Sequence, residues 1–371
     1  MKTTRRDKEL FESQHYNRKL SRPMTFPFSR PLSDPLNGAH RDATFTKITE
    51  VSGAVVSYGL DSFATYGVIP SSWKDDESIT GLTIGHGITS IGNAAFEDCE
   101  DLVGNLVIPS SVTAIGASAF EGCEDLDGTL TLNEGLLTIG DDAFDDCEEL
   151  TGSLTIPNSV TSIGEGAFDD CESFTGHLTI PDTVTSLGDG AFDSCESLTG
   201  LTIGTGITVI GEGVFDGCAG LAGTLVIPDQ ITLIDDDAFE DCESLTGLTL
   251  GSGLQTIGDS AFRDCSALTS VTIPSSVTTI GASAFNSCTS LTSAALHSTI
   301  SRYMFSGCSS LATVDCYITK TAFDAAASSA KDNVFYGLTL NLRVRSSDST
   351  WTTGAGQSIG GGTINVTANA P

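Results

Sequence analysis

Phenylalanine recurs at positions 96, 120, 144, 168, 192, 215, 239, 262, 285 and 305, and a cysteine follows each one three residues later. The steps are 24 or 23 residues, with 20 for the last. A fixed period of this length is the mark of a repeat architecture, in which each unit is one small supersecondary turn. The full unit reads L-T-I-P-x-x-V-T-x-I-G-x-x-A-F-x-x-C-x-x-L-T-G. One such unit cannot bury its own Leu, Ile, Val, Phe and Cys, but stacked copies cover one another.

Each segment of the unit has a local reading. Leu154, Thr155 and Ile156 alternate apolar and polar, which predicts a short strand. Pro157 to Ser159 is turn chemistry, replaced by Gly204 to Gly206 in another copy. Val160 to Ile163 is a second short apolar segment, ended by Gly164. Ala167, Phe168 and Cys171 fall within one helical turn, which predicts a short helical or 3₁₀ piece. Equivalent residues then form ladders about 4.8 Å apart. The expected fold is an α+β repeat solenoid, a horseshoe or rod of about ten coils with a parallel strand ladder.

The run Leu198, Leu201, Ile203 resembles the L-x-x-L-x-L core of leucine-rich repeats, and the longer pattern is similar to the BspA-like subclass. The resemblance covers Leu82 to about Leu311. It implies a cell-surface or secreted protein that adheres to matrix proteins or other cells by non-covalent recognition.

Residues 1–53 carry charge, Pro and little periodicity, and read as a disordered basic leader. Residues 54–81 read as an N-terminal cap, 82–312 as the repeats, and 313–371 as a degenerate repeat with a β-rich C-terminal cap. In that last stretch Ala322 and Phe323 echo the repeat, 324–335 reads as a helix, and 338–345 and 361–368 read as strands. The first residues show no apolar segment behind their basic charges, so no secretory signal is expected. A cytoplasmic location therefore stands beside the surface one.

The formal charge of −31 is unevenly spread. Ten of the 17 Lys and Arg lie in residues 1–50, while Leu82 to Ser293 holds 34 Asp and Glu against Arg263 alone. Such a surface repels nucleic acid and attracts basic proteins. No apolar run reaches the ~18–20 residues of a membrane span.

Three columns of side chains carry the candidate chemistry. The ten periodic cysteines lack zinc or C-x-x-C spacing and read as reduced core thiols, with Cys316, off the ladder, as the most reactive. The acids after Phe and after Cys form columns along one edge. They read as a solubilising edge, or as calcium ligands bridging adjacent coils at Asp145, Glu148, Asp169 and Glu172; no other cofactor is expected. The outward Thr of the first strand recurs, and Thr131, Thr155, Thr179 and Thr202 are the candidate contacts for a protein or glycan partner. No phosphate loop, H-E-x-x-H or G-x-S-x-G motif is present, so no enzyme is expected. The expected function is macromolecular recognition, as a surface adhesin or ligand binder. An intracellular interaction scaffold, and a calcium- or salt-adapted structural protein, are the alternatives.

Overall fold

The computed structural model describes residues 49–50, 53–58, 68–69, 73–76, 79–297, 299–321, 333–345, 354–359 and 362–370. The leader up to residue 48, the echo at Ala322 and Phe323, and most of the helix expected over 324–335 lie outside them.

Most coils lay down two parallel strands, although the first strand expected at Leu154 to Ile156 does not form. Gly176–Ile180 pairs with Leu198–Ile203, setting Leu178 opposite Leu201, Thr179 opposite Thr202 and Ile180 opposite Ile203. Leu178 and Ile180 are buried and Thr179 is exposed, as the alternation predicts. The second strands have two residues each. They stack six deep from Val68–Ile69 to Ser186–Leu187, then four deep from Val209–Ile210 to Thr279–Ile280.

The first-strand ladder is less regular than a uniform repeat predicts. Leu106–Ile108 pairs with Leu130–Leu132, and Gly223–Val226 with Leu245–Thr249, as separate two-strand units. A six-stranded sheet forms only from Ser270–Ile273 onward. Coil length accounts for the register slips within two of the pairs. Phe174 and Leu178 are four residues apart, whereas Leu198 and Leu201 are three apart. Where the two spacings meet, register slips between Gly176 and His177, and again between Gly223 and Thr224. Gly176 and Gly223 absorb the extra residue at φ of 86° and 81°, a backbone that a β-carbon disfavours.

The corner carrying Phe and Cys is not the helix its spacing predicts. Among the described residues only Lys320, Thr321 and Asn333 are helical. The residues two before and two after each Phe have positive φ, for example Asp142 at 51° and Asp146 at 56° around Phe144. Left-handed residues on both sides of Phe interrupt any helical run. Alternate N–H groups instead point to the next coil: Asp142 donates to Glu165 O at 2.8 Å, Phe144 to Ala167 O at 3.0 Å and Asp146 to Asp169 O at 3.1 Å. Almost no helix is present among the described residues, and they form a β-solenoid with a turn-built corner.

The same corner geometry extends the coil count. Asp75, at φ 59°, donates to Glu97 O, and the Cys99 thiol meets Trp73 O, so Trp73 holds the Phe position of a preceding coil. Phe335 stacks on Phe305 at 6.2 Å, with Gly337 at φ 76° two residues on, and marks a following coil. The solenoid thus has about twelve turns rather than ten. An antiparallel strand folds back at each end of the described solenoid, Thr49–Glu50 on Gly53–Tyr58 and Gly354–Ile359 on Gly362–Ala370.

These left-handed positions constrain sequence. Asp170 has φ of 51°. Replacing it with Val, which tolerates that region poorly, should cost ~1–3 kcal/mol in urea unfolding. Asp170→Gly should cost much less, because Gly needs no strained backbone there.

A single core runs through the stack. The Phe rings lie nearly parallel, with centroids 5.2–5.7 Å apart from Phe96 to Phe285. Beside them the Cys, Leu, Ile and Ala of each coil are buried.

Candidate functional site

The acids divide by what their coil position requires. Three residues before Phe, Asp or Asn fastens one coil to the next. Asp141 Oδ1 accepts the Glu165 N–H at 3.1 Å, Asp236 the Asp259 N–H at 2.6 Å, and Asn93 the Ala117 N–H at 3.2 Å. Asp182 and Asp229 do the same at the turn for Thr205 and Ser252, both at 2.7 Å. These backbone hydrogen bonds hold both carboxyls below the usual range. Two residues after Phe, Asp serves because it tolerates a left-handed backbone. Much of the acidity is therefore structural.

The four calcium candidates fall into two columns. Asp145 and Asp169 follow Phe in successive coils and are half-buried; Glu148 and Glu172 follow Cys. Burial, then Glu172 and Glu124 on the neighbouring coils, raises the Glu148 carboxyl. The oxygens that come within 4.8 Å of one another belong to Asp145, Asp146 and Asp170. Of the four, Asp145 alone joins that trio.

All eleven cysteines are buried thiols outside any disulfide. Each thiol on the ladder has one backbone partner. Cys171 meets Phe144 O at 3.1 Å, Cys195 meets Phe168 O at 3.3 Å, and Cys123 meets Phe96 O at 3.2 Å. An S–H fills the slot as a small hydrophobe that still donates to an inward carbonyl. Cys316, read as the reactive thiol, is fully buried too. Burial raises the eight ladder thiols from Cys99 to Cys265; Cys99 is pushed up to about 11. A thiol reagent at pH 8 should leave the folded protein unmodified and label all eleven sites in denaturant. Rapid labelling of the folded chain would contradict this packing.

The strand face is different in character. Thr131, Thr155, Thr179 and Thr202 are all exposed on it. His177 lies beside them, its ring nitrogen 2.7 Å from Thr202 Oγ1. Val107 and Val226 take the same column and are 49% and 55% exposed, so the face mixes hydroxyls with apolar patches. Its middle carries no charge in this column. Towards the C-terminal coils the column passes to Ala295, Asp315 and Arg343, and the last two form a bidentate ion pair. Among the described residues no helix is long and apolar enough to cross a membrane.

A family model described as BspA type leucine-rich repeat region matches residues 69–152, 138–225 and 222–341. A leucine-rich repeat protein from Bacteroides ovatus ATCC 8483 is similar in structure, with 30% identity and a TM-score of 0.59. The alignment covers 70% of this chain and 65% of that one, so the chain spans less than two thirds of its relative's length. A leucine-rich cell surface protein from Faecalibacterium prausnitzii A2-165 aligns at 24% identity and a TM-score of 0.44, covering 75% of this chain and 94% of that one. No curated protein matches the sequence. The repeats, the coil geometry and the family model agree, and the chain belongs to the BspA-type leucine-rich repeat family.

Proposed function

We propose that this solenoid is a non-enzymatic recognition module that holds a protein or glycan ligand against its strand face at Thr131, Thr155, Thr179 and Thr202. Leucine-rich repeat proteins generally mediate protein recognition. The observation that carries the reading is the column itself. Its side chains stand one coil apart, exposed, uncharged and interleaved with exposed valines, with Thr179 and Thr202 on paired strands. A preordered array spends little entropy on binding.

Replacing Thr155, Thr179 and Thr202 together with Lys should weaken ligand capture at least tenfold, about 1.4 kcal/mol, with the melting temperature unchanged. The purified chain would be tested for capture on matrix proteins and glycan arrays. Undiminished capture by the variant would exclude the strand face. The ligand also meets a strongly acidic molecule, so a basic one should associate more slowly as salt rises. A salt-insensitive on-rate would detach the acidic corner from docking.

Surface adhesion is the leading setting by family. A cytosolic scaffold is the second, favoured by eleven thiols that remain outside any disulfide. Protease shaving of intact cells separates them: release of solenoid peptides places it outside, and recovery only after lysis places it inside.

A further inference from the structure

Asp216 and Glu240 occupy the position directly after Phe in successive coils, and Arg263 takes the next place. Asp216 Oδ1 is shielded from solvent and has no hydrogen-bond partner among the described residues. Asp193 faces this carboxyl from the preceding coil, Asp237 and Asp241 from the following one. The Glu240 carboxyl lies beside that of Asp237. Two ionised carboxylates in contact repel, so the arrangement favours a proton on Glu240. Arg263 opposes protonation, with Nη1 2.8 Å from Glu240 Oε1. Its guanidinium is nearly half exposed and is shared with Asp264 and Asp241. One diluted cation cannot neutralise the whole group.

We propose that this corner is a proton-held clasp: Asp216 and Glu240 carry protons in the folded solenoid at neutral pH, and losing them loosens the coils between Phe192 and Phe262. The first coil repeats the device, where Asp98 lies beside the Asp75 carboxyl one coil away. Burial, followed by Asp193 and Asp241, pushes Asp216 up to about 8. Burial and then the neighbouring Asp237 carboxyl raise Glu240 against the pull of Arg263.

The direction of the pH effect follows. Unfolded carboxyls release their protons near ~4. The folded corner keeps them to about 8, so the folded state binds more protons between those values. Stability is therefore highest on the acid side and falls as pH rises through that window. The buried thiols act in the same sense only above ~8.5, where unfolded thiols ionise. Measurements from pH 5 to 8 separate the carboxyls from the thiols, and a variant of both carboxyls separates them from the five histidines.

Thermal and urea midpoints of the full chain would be followed from pH 5 to 8 at constant ionic strength. The wild-type midpoint should fall by several degrees. Asp216→Asn with Glu240→Gln mimics the protonated forms; it should lose most of that slope and exceed wild type at pH 8. The double change moves net charge only from −31 to −29, since −31 + 2 = −29, so repulsion across the whole molecule would leave the slope in place. A flat wild-type profile, or an unchanged slope in the variant, overturns the clasp. If the variant does not fold, the infrared spectrum of wild type at pH 7 decides. A protonated-carboxyl band is expected, and its absence overturns the proposal.

Discussion

Phe168→Ala should destabilise the solenoid by ~3–5 kcal/mol, the usual cost of truncating a fully buried Phe. The ring has no solvent exposure. It is sandwiched between Phe144 and Phe192, each 5.3 Å away, and meets the edge of Phe174 at 6.3 Å. Removing it takes away contacts in both stacking directions and leaves a gap that the flanking rings cannot close, because each is held in its own coil by backbone bonds to the next. The change should also alter how the molecule unfolds. A repeat stack is held by nearest-neighbour interfaces, so weakening one uncouples the two sides. Denaturant unfolding should change from one transition towards two, with the coils before and after Phe168 melting separately. A variant within ~1 kcal/mol of wild type and a single transition would mean that the ring stack is not what joins the coils.

Gly188→Val should be nearly as damaging, at ~3 kcal/mol or more, for a reason unrelated to the glycine backbone. A β-carbon on Gly188 would stand 2.2 Å from Glu165 N and 2.4 Å from Gly164 C in the preceding coil. Both obstacles are main chain and cannot swing aside. Gly190, two residues on, provides the contrast. It has φ of 62° but nothing within 4 Å of where its β-carbon would lie. The equivalent positions carry Asp142 and Asp237 at φ of 51° and 56°. Gly190→Asp should therefore cost little while Gly188→Val fails, in the same urea titration. Equal losses at both sites would show that the close approach of coils at Gly188 is not limiting.

The alternating burial of Leu154, Thr155 and Ile156, the burial of the Phe and Cys columns and the parallel ladder were all legible before any coordinates, although residues 154–156 themselves form no strand. They follow from a period that makes every unit solve the same burial problem. The helix read at Ala167 to Cys171 was not. Apolar residues one and four places apart fit a helical turn and this corner alike. Only the backbone, left-handed two residues before and after Phe168, tells the two apart; Gly166 has φ of 57° and Asp170 of 51°. The Asp and Ser at such positions were a signal that could have been read, since few other side chains accept that conformation. Trp73 and Phe335 were missed as coil positions because neither is followed by Cys at the repeat's spacing. The thiol-to-carbonyl bonds, such as Cys171 to Phe144, span 27 residues and leave no local trace.

By itself the sequence determined the period, the family, the identity of the core and the direction in which Thr131, Thr155, Thr179 and Thr202 face. The reason is that side-chain alternation and burial are settled within one unit and then copied. Only the tertiary structure decided what the acids do. Asp141 fastens a neighbouring backbone, Asp170 supports a left-handed turn, and Glu240 is raised by burial and by its neighbour Asp237. Those roles depend on which groups a residue meets 23 or 24 positions away, and on how far water is excluded there. Charge alone is the same in all three.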